Sequence, residues 1–425
     1  MTGAPTDDKA TIKKTMLWVL GILFIAANLR APITSIGPLL GLIKSSTGMN
    51  SALAGMISTF PLIAFAAVSP LVPRITGRMG IEPTLMYSLL LLSAGIVMRS
   101  QPSVFFLIAG TALMGIGITA GNVLLPSIIK KHQPQKAGIL TGAYIASMNL
   151  SSAVGFGISL PLAEQAGLGW RGSLLCWLVL SVTTIVIWLP QVFVKGLART
   201  ERQIQSAKFP VELWKSVEAW NITVYMGLQS LPFYLLSAWL GDMLGQQGIE
   251  PARSGWMLSI IQFTSLPMTF IVPILAQRFL NQSRIGIAAG GFVFAGTAGL
   301  AFGPVTLIPV WMVLIGLGTG TAISFVLLLF GLRTRNAQEA AELSGMAQSF
   351  GYLLAAAGPI LFGWIYDLTN SWTIPRLLLM LISVLLLLSG AWAGRKGYLL
   401  KDSENSGTVS DVYMRWKEPT LKLPK

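Results

Sequence analysis

The chain has 425 residues, of which 53% are hydrophobic and only 11% are charged. Soluble domains carry about 25% charged residues, so this composition excludes a water-soluble globular protein and predicts one that faces lipid. The net charge of +14 does not indicate nucleic-acid binding, because the basic residues lie in short breaks between apolar runs. One cysteine, Cys176, and one histidine, His132, are too few for a disulfide framework or a metal site, and we expect no cofactor.

Apolar segments of about 20 residues, the length needed to cross a bilayer, recur along the chain. The sequence therefore predicts an all-α membrane protein with roughly twelve transmembrane helices in two sets of six. We number these segments 1 to 12 in chain order. They occupy residues 17–42, 52–73, 82–99, 103–129, 137–162 and 170–190, and then 217–243, 254–278, 285–303, 305–331, 340–366 and 373–394.

The polar stretches between and around these sets divide the chain into parts. We expect an N-terminus at 1–16, an N-terminal half at 17–190, a linker at 191–216, a C-terminal half at 217–394 and a tail at 395–425. The first apolar run is too long for a cleaved signal peptide, so it is predicted to remain as segment 1. The composition of the tail favours disorder.

The lysines and arginines indicate how the segments are oriented. Most of them fall in the termini, the linker and the breaks that lie on the same side as both termini. The opposite side holds far fewer, namely Lys44, Arg99, Arg171, Arg253 and Arg376. The positive-inside rule therefore predicts a multi-pass protein of the plasma membrane with both termini, the linker and the tail in the cytoplasm.

The two sets of six segments repeat each other in sequence. A Gly-X-Gly motif at 115–117 in segment 4 corresponds to a second one at 316–318 in segment 10. Trp170, which begins segment 6, corresponds to Trp372 before segment 12. Two parallel six-helix repeats are the plan of major facilitator transporters, whose substrate site lies between the halves near the midplane. We therefore predict the major facilitator fold.

Four motifs resemble the cyanate and 2-nitroimidazole transporter family of the major facilitator superfamily. They are ANLRAPITSIGP at 27–38, GNVLLP at 121–126 before two lysines, the Trp-Arg-Gly turn at 170–172, and LSGMAQSFGYLLAA at 343–356. The resemblance implies an inner-membrane transporter of small anions or small polar organic compounds. The chain departs from proton-driven drug antiporters, because Thr111 stands where they carry an arginine. It also has Arg74 where the wider superfamily has an aspartate.

Arg30 is a cation in the middle of a predicted segment. It lies about equally far from both ends of segment 1, which places it near the midplane of the bilayer. A guanidinium at that depth costs about 3 kcal/mol on insertion scales and cannot lose its proton. No aspartate or glutamate lies deep in a predicted segment to offset this charge. We interpret Arg30 as the substrate-binding charge; the alternative is a packing role in which carbonyls and amides such as Asn122 hold it.

Neutral polar side chains complete the predicted substrate-binding site around Arg30. They are Thr34 in segment 1, Asn122 in segment 4, Tyr144 in segment 5, Tyr225 and Gln229 in segment 7, and Gln348 and Tyr352 in segment 11. Tyrosine and glutamine supply hydrogen-bond donors beside a partly apolar wall, which suits a small delocalised anion or a heteroaromatic ring. For each of them, a hydrogen bond between helices is the alternative.

These observations predict a secondary transporter that moves a small, cyanate-like anion or polar compound by alternating access. We expect it to act as a monomer in the bilayer, without a nucleic-acid partner. An exporter of neutral drugs such as 2-nitroimidazoles is the alternative within the same fold. An enzyme is not expected, because paired carboxylates, histidines and cysteines suited to catalysis are missing from the segments.

Overall fold

The computed structural model of the chain describes residues 6–195, 211–278, 281–334 and 337–395. Every regular element in these ranges is helical. The middle of the predicted linker, 196–210, and the tail beyond 395 lie outside the described residues, so our expectations for them stay predictions.

The described part of the N-terminal half consists of ten helices. They are α1 Thr6–Asn28, α2 Ala31–Thr34, α3 Leu40–Thr47, α4 Ser51–Val68, α5 Val72–Met79, α6 Ile81–Arg99, α7 Val104–His132, α8 Ala137–Glu164, α9 Gly169–Leu175 and α10 Trp177–Lys195. A single 3-10 turn, Gly37–Leu39, joins α2 to α3. Helices α1 to α3 together form predicted segment 1, and α9 with α10 forms segment 6.

The described part of the C-terminal half follows a short helix, α11, at Val211–Lys215. Its long helices are α12 Val217–Gly245, α13 Pro251–Arg278, α14 Ser283–Phe302, α15 Ile308–Leu332, α16 Ala337–Thr369 and α17 Thr373–Ala393. These helices match predicted segments 7 to 12 in order, so the all-α plan of two six-segment halves is confirmed.

Eleven stretches in the described part of the chain are long and apolar enough to cross a membrane. The long helix that is not among them is α12, which has 29 residues and polar side chains such as Asn221 and Gln229. Most of α12 is buried within the molecule. Because other helices enclose it, these polar side chains need not meet lipid, and α12 can serve as segment 7.

Segment 1, predicted as one continuous helix over 17–42, is broken. Helix α1 ends at Asn28 and α2 ends at Thr34. Each end lies four residues before a proline, Pro32 or Pro38, which has no N–H to donate to the carbonyl four residues earlier. Two missing helical hydrogen bonds therefore explain the two breaks. Arg30 lies in the first break, beside the residues that interrupt the helix.

The repeated glycines pack in equivalent ways in the two halves. Gly115 of α7 lies against Pro61 of α4, while its counterpart Gly316 of α15 lies against α13. Gly117 lies against α6, while its counterpart Gly318 lies against α14. A Cβ at any of these positions would overlap neighbouring atoms, so each glycine permits a close helix crossing. The internal repeat is thus confirmed at the level of packing.

The two halves meet along three lines of contact. Helix α4 packs on α16, α8 packs on α13, and the 3-10 turn with α3 packs on α12. The connections that follow α3, α8, α12 and α16 all lie at the end of the bundle opposite to the start of α1 and the end of α17, because successive segments alternate in direction. We call this end of the molecule the far end. Arg30 lies about halfway along the first segment, which spans Thr15–Thr47.

Candidate functional site

The guanidinium of Arg30 reaches from the N-terminal half to α12 of the C-terminal half. Its Cζ lies 4.4 Å from the centroid of the Phe233 ring and 6.0 Å from that of Tyr234. Its Nη1 atom is buried and has no hydrogen-bond partner among the described residues. In the part of the chain that the structure describes, Arg30 forms no ion pair with a carboxylate. The guanidinium thus contacts aromatic faces, and its Nη1 donor remains available for a hydrogen bond.

An aromatic cluster surrounds this charge. The Tyr352 ring of α16 lies 6.3 Å from the Tyr234 ring and 5.3 Å from the Phe65 ring of α4, between ring centroids. Arg30 and the buried Tyr144 of α8 also lie close to Tyr352. We define the aromatic cluster as Phe65, Tyr144, Phe233, Tyr234 and Tyr352. Four helices from both halves contribute to it, so it lies where the two halves meet.

Two predicted site residues, Tyr144 and Tyr352, belong to the aromatic cluster. Phe65, Phe233 and Tyr234 were missed by the sequence analysis. The sequence does mark the last two residues, because the Phe233–Tyr234 pair follows Pro232 in the middle of segment 7. That signal could not be read as a contact with Arg30 from the sequence alone, since no pattern within one helix reveals which neighbouring helix faces it.

Thr34 lies close to Arg30 but has its hydroxyl occupied. Its Oγ1 has three carbonyl acceptors within reach of its single O–H, those of Arg30 at 3.1 Å, Ala31 at 3.3 Å and Ser152 of α8 at 3.4 Å. The side chain is fully buried. These contacts tie the broken segment to α8, which favours the packing alternative for Thr34. Its proposed substrate contact stays a prediction.

Asn122 of α7 has a half-buried side chain that forms no hydrogen bond with the described residues. Its neighbour Gly121 lies against the side chain of Leu29, next to Arg30 in the chain. The structure therefore places the α7 backbone beside the break of segment 1. Asn122 keeps both its amide donors and its carbonyl oxygen for another partner, and its role as a substrate contact stays a prediction.

The remaining predicted residues make contacts within the C-terminal half. The buried Tyr225 ring packs edge-on against Phe325 of α15 at 5.6 Å, and its hydroxyl has no partner. The Gln229 amide donates to the carbonyl of Met226 at 3.2 Å and to Ser230 Oγ at 2.7 Å. Gln348 of α16 donates to Ser344 Oγ at 2.9 Å. None of these contacts among the described residues joins the three side chains to Arg30, and their substrate contacts stay predictions.

The two halves are joined at the far end by charged contacts. Lys44 of α3 forms an ion pair with Asp242 of α12 at 3.0 Å. Asp367 of α16 accepts hydrogen bonds from the backbone N–H groups of Ser51 and Ala52, at 3.2 and 2.9 Å. We call these five residues the far-end latch. The carboxylate of Asp367 thus caps the N-terminus of α4, a position where negative charge is stabilised.

Backbone contacts close the far end still more tightly. A Cβ at Gly37 would overlap the carbonyl of Ser237, and one at Gly55 would lie 2.5 Å from the Pro359 carbonyl oxygen. Farther along the interface, Ser259 of α13 donates to the carbonyl of Ala153 in α8 at 2.7 Å. The structure therefore shows the far end closed, with Arg30 and the aromatic cluster on the inner side of the closure.

The amino-acid sequence matches known transporters over most of its length. The model of the Major Facilitator Superfamily matches residues 19–359. The chain is 44% identical over 394 residues to the uncharacterized transporter YycB of Bacillus subtilis, covering 92% of this chain and 97% of that protein. It is 37% identical over 383 residues to the 2-nitroimidazole transporter of Escherichia coli, covering 90% and 96%. Identity to the Escherichia coli cyanate transport protein CynX is 24% over 355 residues, covering 83% and 91%.

Solved structures share the fold at much lower sequence identity. The nucleoside transporter NupG superposes with a TM-score of 0.69 at 13% identity, covering 88% of this chain and 98% of that one. The D-xylose-proton symporter gives the same TM-score and identity, covering 91% and 98%. The resemblance noted in the sequence is confirmed by these relatives. The chain belongs to the major facilitator superfamily and is a multi-pass small-molecule secondary transporter rather than an enzyme.

Proposed function

We propose that the transported substrate is a small anion or a strongly dipolar compound and that Arg30 binds it. The observation that carries this proposal is the buried, unpartnered Nη1 atom of Arg30 at the contact between the halves. Arg30 and Phe233 are both half-buried, so their cation–π contact contributes about 1 kcal/mol, which offsets only part of the roughly 3 kcal/mol cost of a charge at mid-depth. A bound anion would supply the missing stabilisation through charge-assisted hydrogen bonds.

The substrate would reach this site by alternating access, in which the two halves rock about the midplane. The closed far end and the contacts between α4 and α16 support this motion, because they lie between the halves and can separate without unfolding either one. The relatives named for cyanate and for 2-nitroimidazole support a small, planar or linear substrate.

Export of a neutral drug such as a 2-nitroimidazole is the second candidate. It is favoured by the higher identity to the 2-nitroimidazole transporter than to the cyanate transport protein. The aromatic cluster also supports it, since the rings could stack on a heterocycle. In that case Arg30 would act on the dipole of the nitro group rather than on a full charge.

Uptake by purified protein in proteoliposomes tests the choice between these candidates. We expect Arg30→Ala to lower cyanate uptake by about 10- to 100-fold, the loss of charge-assisted hydrogen bonding. Arg30→Lys should restore part of it, because lysine keeps the charge but not the planar fork. Arg253→Ala, which removes an exposed arginine, is the matched control. Cyanate uptake by Arg30→Ala at the normal rate would remove the anion proposal. Transport of 2-nitroimidazole alone by the unaltered chain would establish the second candidate.

We further propose that the protein resides in the inner membrane with both termini in the cytoplasm, as the distribution of basic residues supports. Reporter proteins fused after Lys425 and within residues 200–208 should both report a cytoplasmic location. A signal from the opposite side at either position would contradict this orientation.

A further inference from the structure

Arg99, the last residue of α6, is fully buried, whereas the distribution of basic residues had placed it at the outer end of segment 3. Its Nη1 donates to the carbonyl of Pro32 at 2.6 Å, inside the broken part of segment 1. Its Nη2 lies 3.5 Å from the carbonyl of Leu174, near the end of α9. Its Nε is buried without a partner. One guanidinium thus joins α6 to the interrupted regions of segments 1 and 6.

The Pro32 carbonyl is available to Arg99 because the helix is interrupted there. In a continuous helix the N–H of Ile36 would donate to it, but that N–H donates instead to the carbonyl of Ile33 at 3.4 Å. Side chains replace the lost backbone donor, namely Arg99 and the hydroxyl of Ser35 at 3.0 Å. The turn between Arg30 and Ile36 is therefore held in part by a residue from a different helix.

Close packing keeps water and counterions away from Arg99. A Cβ at Gly110 of α7 would overlap the Arg99 backbone, and one at Gly95 would overlap Gly110 and Met114. No carboxylate in the described part of the chain pairs with Arg99. Burying a charge without a counterion costs stability, and an apolar residue of similar volume would fill this space at lower cost. Stability alone therefore does not account for an arginine at this position.

We propose that Arg99 is a positioning residue for Arg30. By holding the Pro32 carbonyl outside the helix, it fixes the direction of the chain at the break and aims the Arg30 guanidinium at Phe233. Pro32 is two residues from Arg30, so rotation of this turn moves the guanidinium relative to α12. The effect on transport rests on the proposed role of Arg30 in binding, whereas the effect on the position of Arg30 does not.

A fluorine nucleus at position 233 would report the position of Arg30 without any substrate. We would introduce 4-fluorophenylalanine at Phe233 and record its resonance, which senses the charge 4.4 Å from the ring centroid. Arg99→Met should shift this resonance towards its position in Arg30→Ala, and Arg99→Lys should shift it less. When Arg30→Ala is already present, Arg99→Met should cause no further shift. Arg171→Met is the matched control, because Arg171 also donates to a proline carbonyl, that of Pro102, but is exposed.

Transport kinetics complete the test. We expect Arg99→Met to raise the KM for cyanate by about ten-fold, the size of one lost charge-assisted hydrogen bond, with kcat changed much less. If Arg99→Met fails to fold, Arg99→Gln decides, because its amide nitrogen ends two bonds short of the Arg99 Nη1 position and does not reach the Pro32 carbonyl. A fluorine resonance that stays unchanged in folded Arg99→Met or Arg99→Gln would overturn the proposal. A resonance that shifts while cyanate kinetics stay normal would leave the positioning role intact and refute the proposed role of Arg30 in binding.

Discussion

Charged residues have different surroundings in the middle and at the far end of the contact between the two halves. At the far end, Lys44, Asp242 and Asp367 all have partners across the interface. In the middle, Arg30 faces aromatic rings and keeps a buried donor without a partner. A paired charge stabilises one conformation, whereas a charge without a partner can bind an oppositely charged group from solution. The interface thus separates a closing region from the proposed binding region.

The largest effect should come from preventing closure of the far end. Gly37→Val places side-chain atoms where the Ser237 carbonyl now lies, and the backbone on both sides cannot easily move away. Overpacking of this kind costs about 1–3 kcal/mol. That is enough to shift the equilibrium between the state open at the far end and the state open at the opposite end. We expect transport by the folded protein to fall by about 10- to 100-fold. Gly41→Val is the matched control, because a Cβ at Gly41 meets nothing within 4 Å. Normal uptake by Gly37→Val would show that the far end need not close.

A smaller effect should follow the loss of the charge that caps α4. Asp367→Asn keeps the shape of the side chain but loses its negative charge towards the backbone N–H groups of Ser51 and Ala52. Hydrogen bonds to charged groups contribute about 1.5–3 kcal/mol, so we expect the open far end to gain about ten-fold in population. Spin labels at Ser45 and Glu250, after replacement of Cys176, would report the distance between the halves.

The control for this change is Glu164→Gln, which neutralises an exposed carboxylate at the end of α8. It should leave the distribution of distances between the labels unchanged. Equal distributions in Asp367→Asn and Glu164→Gln would mean that the cap of α4 does not hold the halves together.

The aromatic side of the binding region should matter less than Arg30 itself. Phe233→Leu removes the ring nearest to the guanidinium, a contact that contributes about 1 kcal/mol. We expect the KM for cyanate to rise by about five-fold. This effect is smaller than the loss of cyanate uptake expected for Arg30→Ala. Phe263→Leu, at an exposed position of α13, is the matched control. Identical kinetics in both variants would remove Phe233 from the binding region.

The smallest effect should come from the ion pair at the far end. Lys44 and Asp242 are each about one-fifth exposed, and pairs of this kind contribute about 0.5 kcal/mol. Lys44→Met should therefore shift the distances between spin labels only slightly, and less at high salt. The exchange Lys44→Asp with Asp242→Lys should recover the original distribution. A shift as large as that of Asp367→Asn would reverse the order of the two latch contacts.

Sequence reasoning succeeded where the signal lies within one segment. Apolar runs gave the number and order of the segments, and the glycine motifs gave the repeat, because both follow from the needs of a helix in lipid. The position of Arg30 about halfway along segment 1 could be predicted from the sequence, whereas its role in binding stays a prediction. The burial of Arg99 could not be predicted, because Arg99 ends a segment and only the packing of α7 reveals that it is buried.

The far-end latch was hidden for a related reason. Asp242 and Asp367 sit near helix ends, where a carboxylate is ordinary, and their partners lie in the other half of the chain. No pattern within one segment records which residue of the opposite half it meets. The interruption of segment 1 could have been predicted more fully, since Pro32 and Pro38 each remove a helical donor.

The location of Arg30 in the first segment also has a consequence for how the chain is made. This segment leaves the ribosome before any member of the aromatic cluster exists, because Phe65, Tyr144, Phe233, Tyr234 and Tyr352 all follow it in sequence. The charge must therefore enter the membrane, or wait beside it, without the rings that later face it. Insertion of the first segment and completion of the second half are thereby linked in time, and the proposed binding residue is among the last to reach its final surroundings.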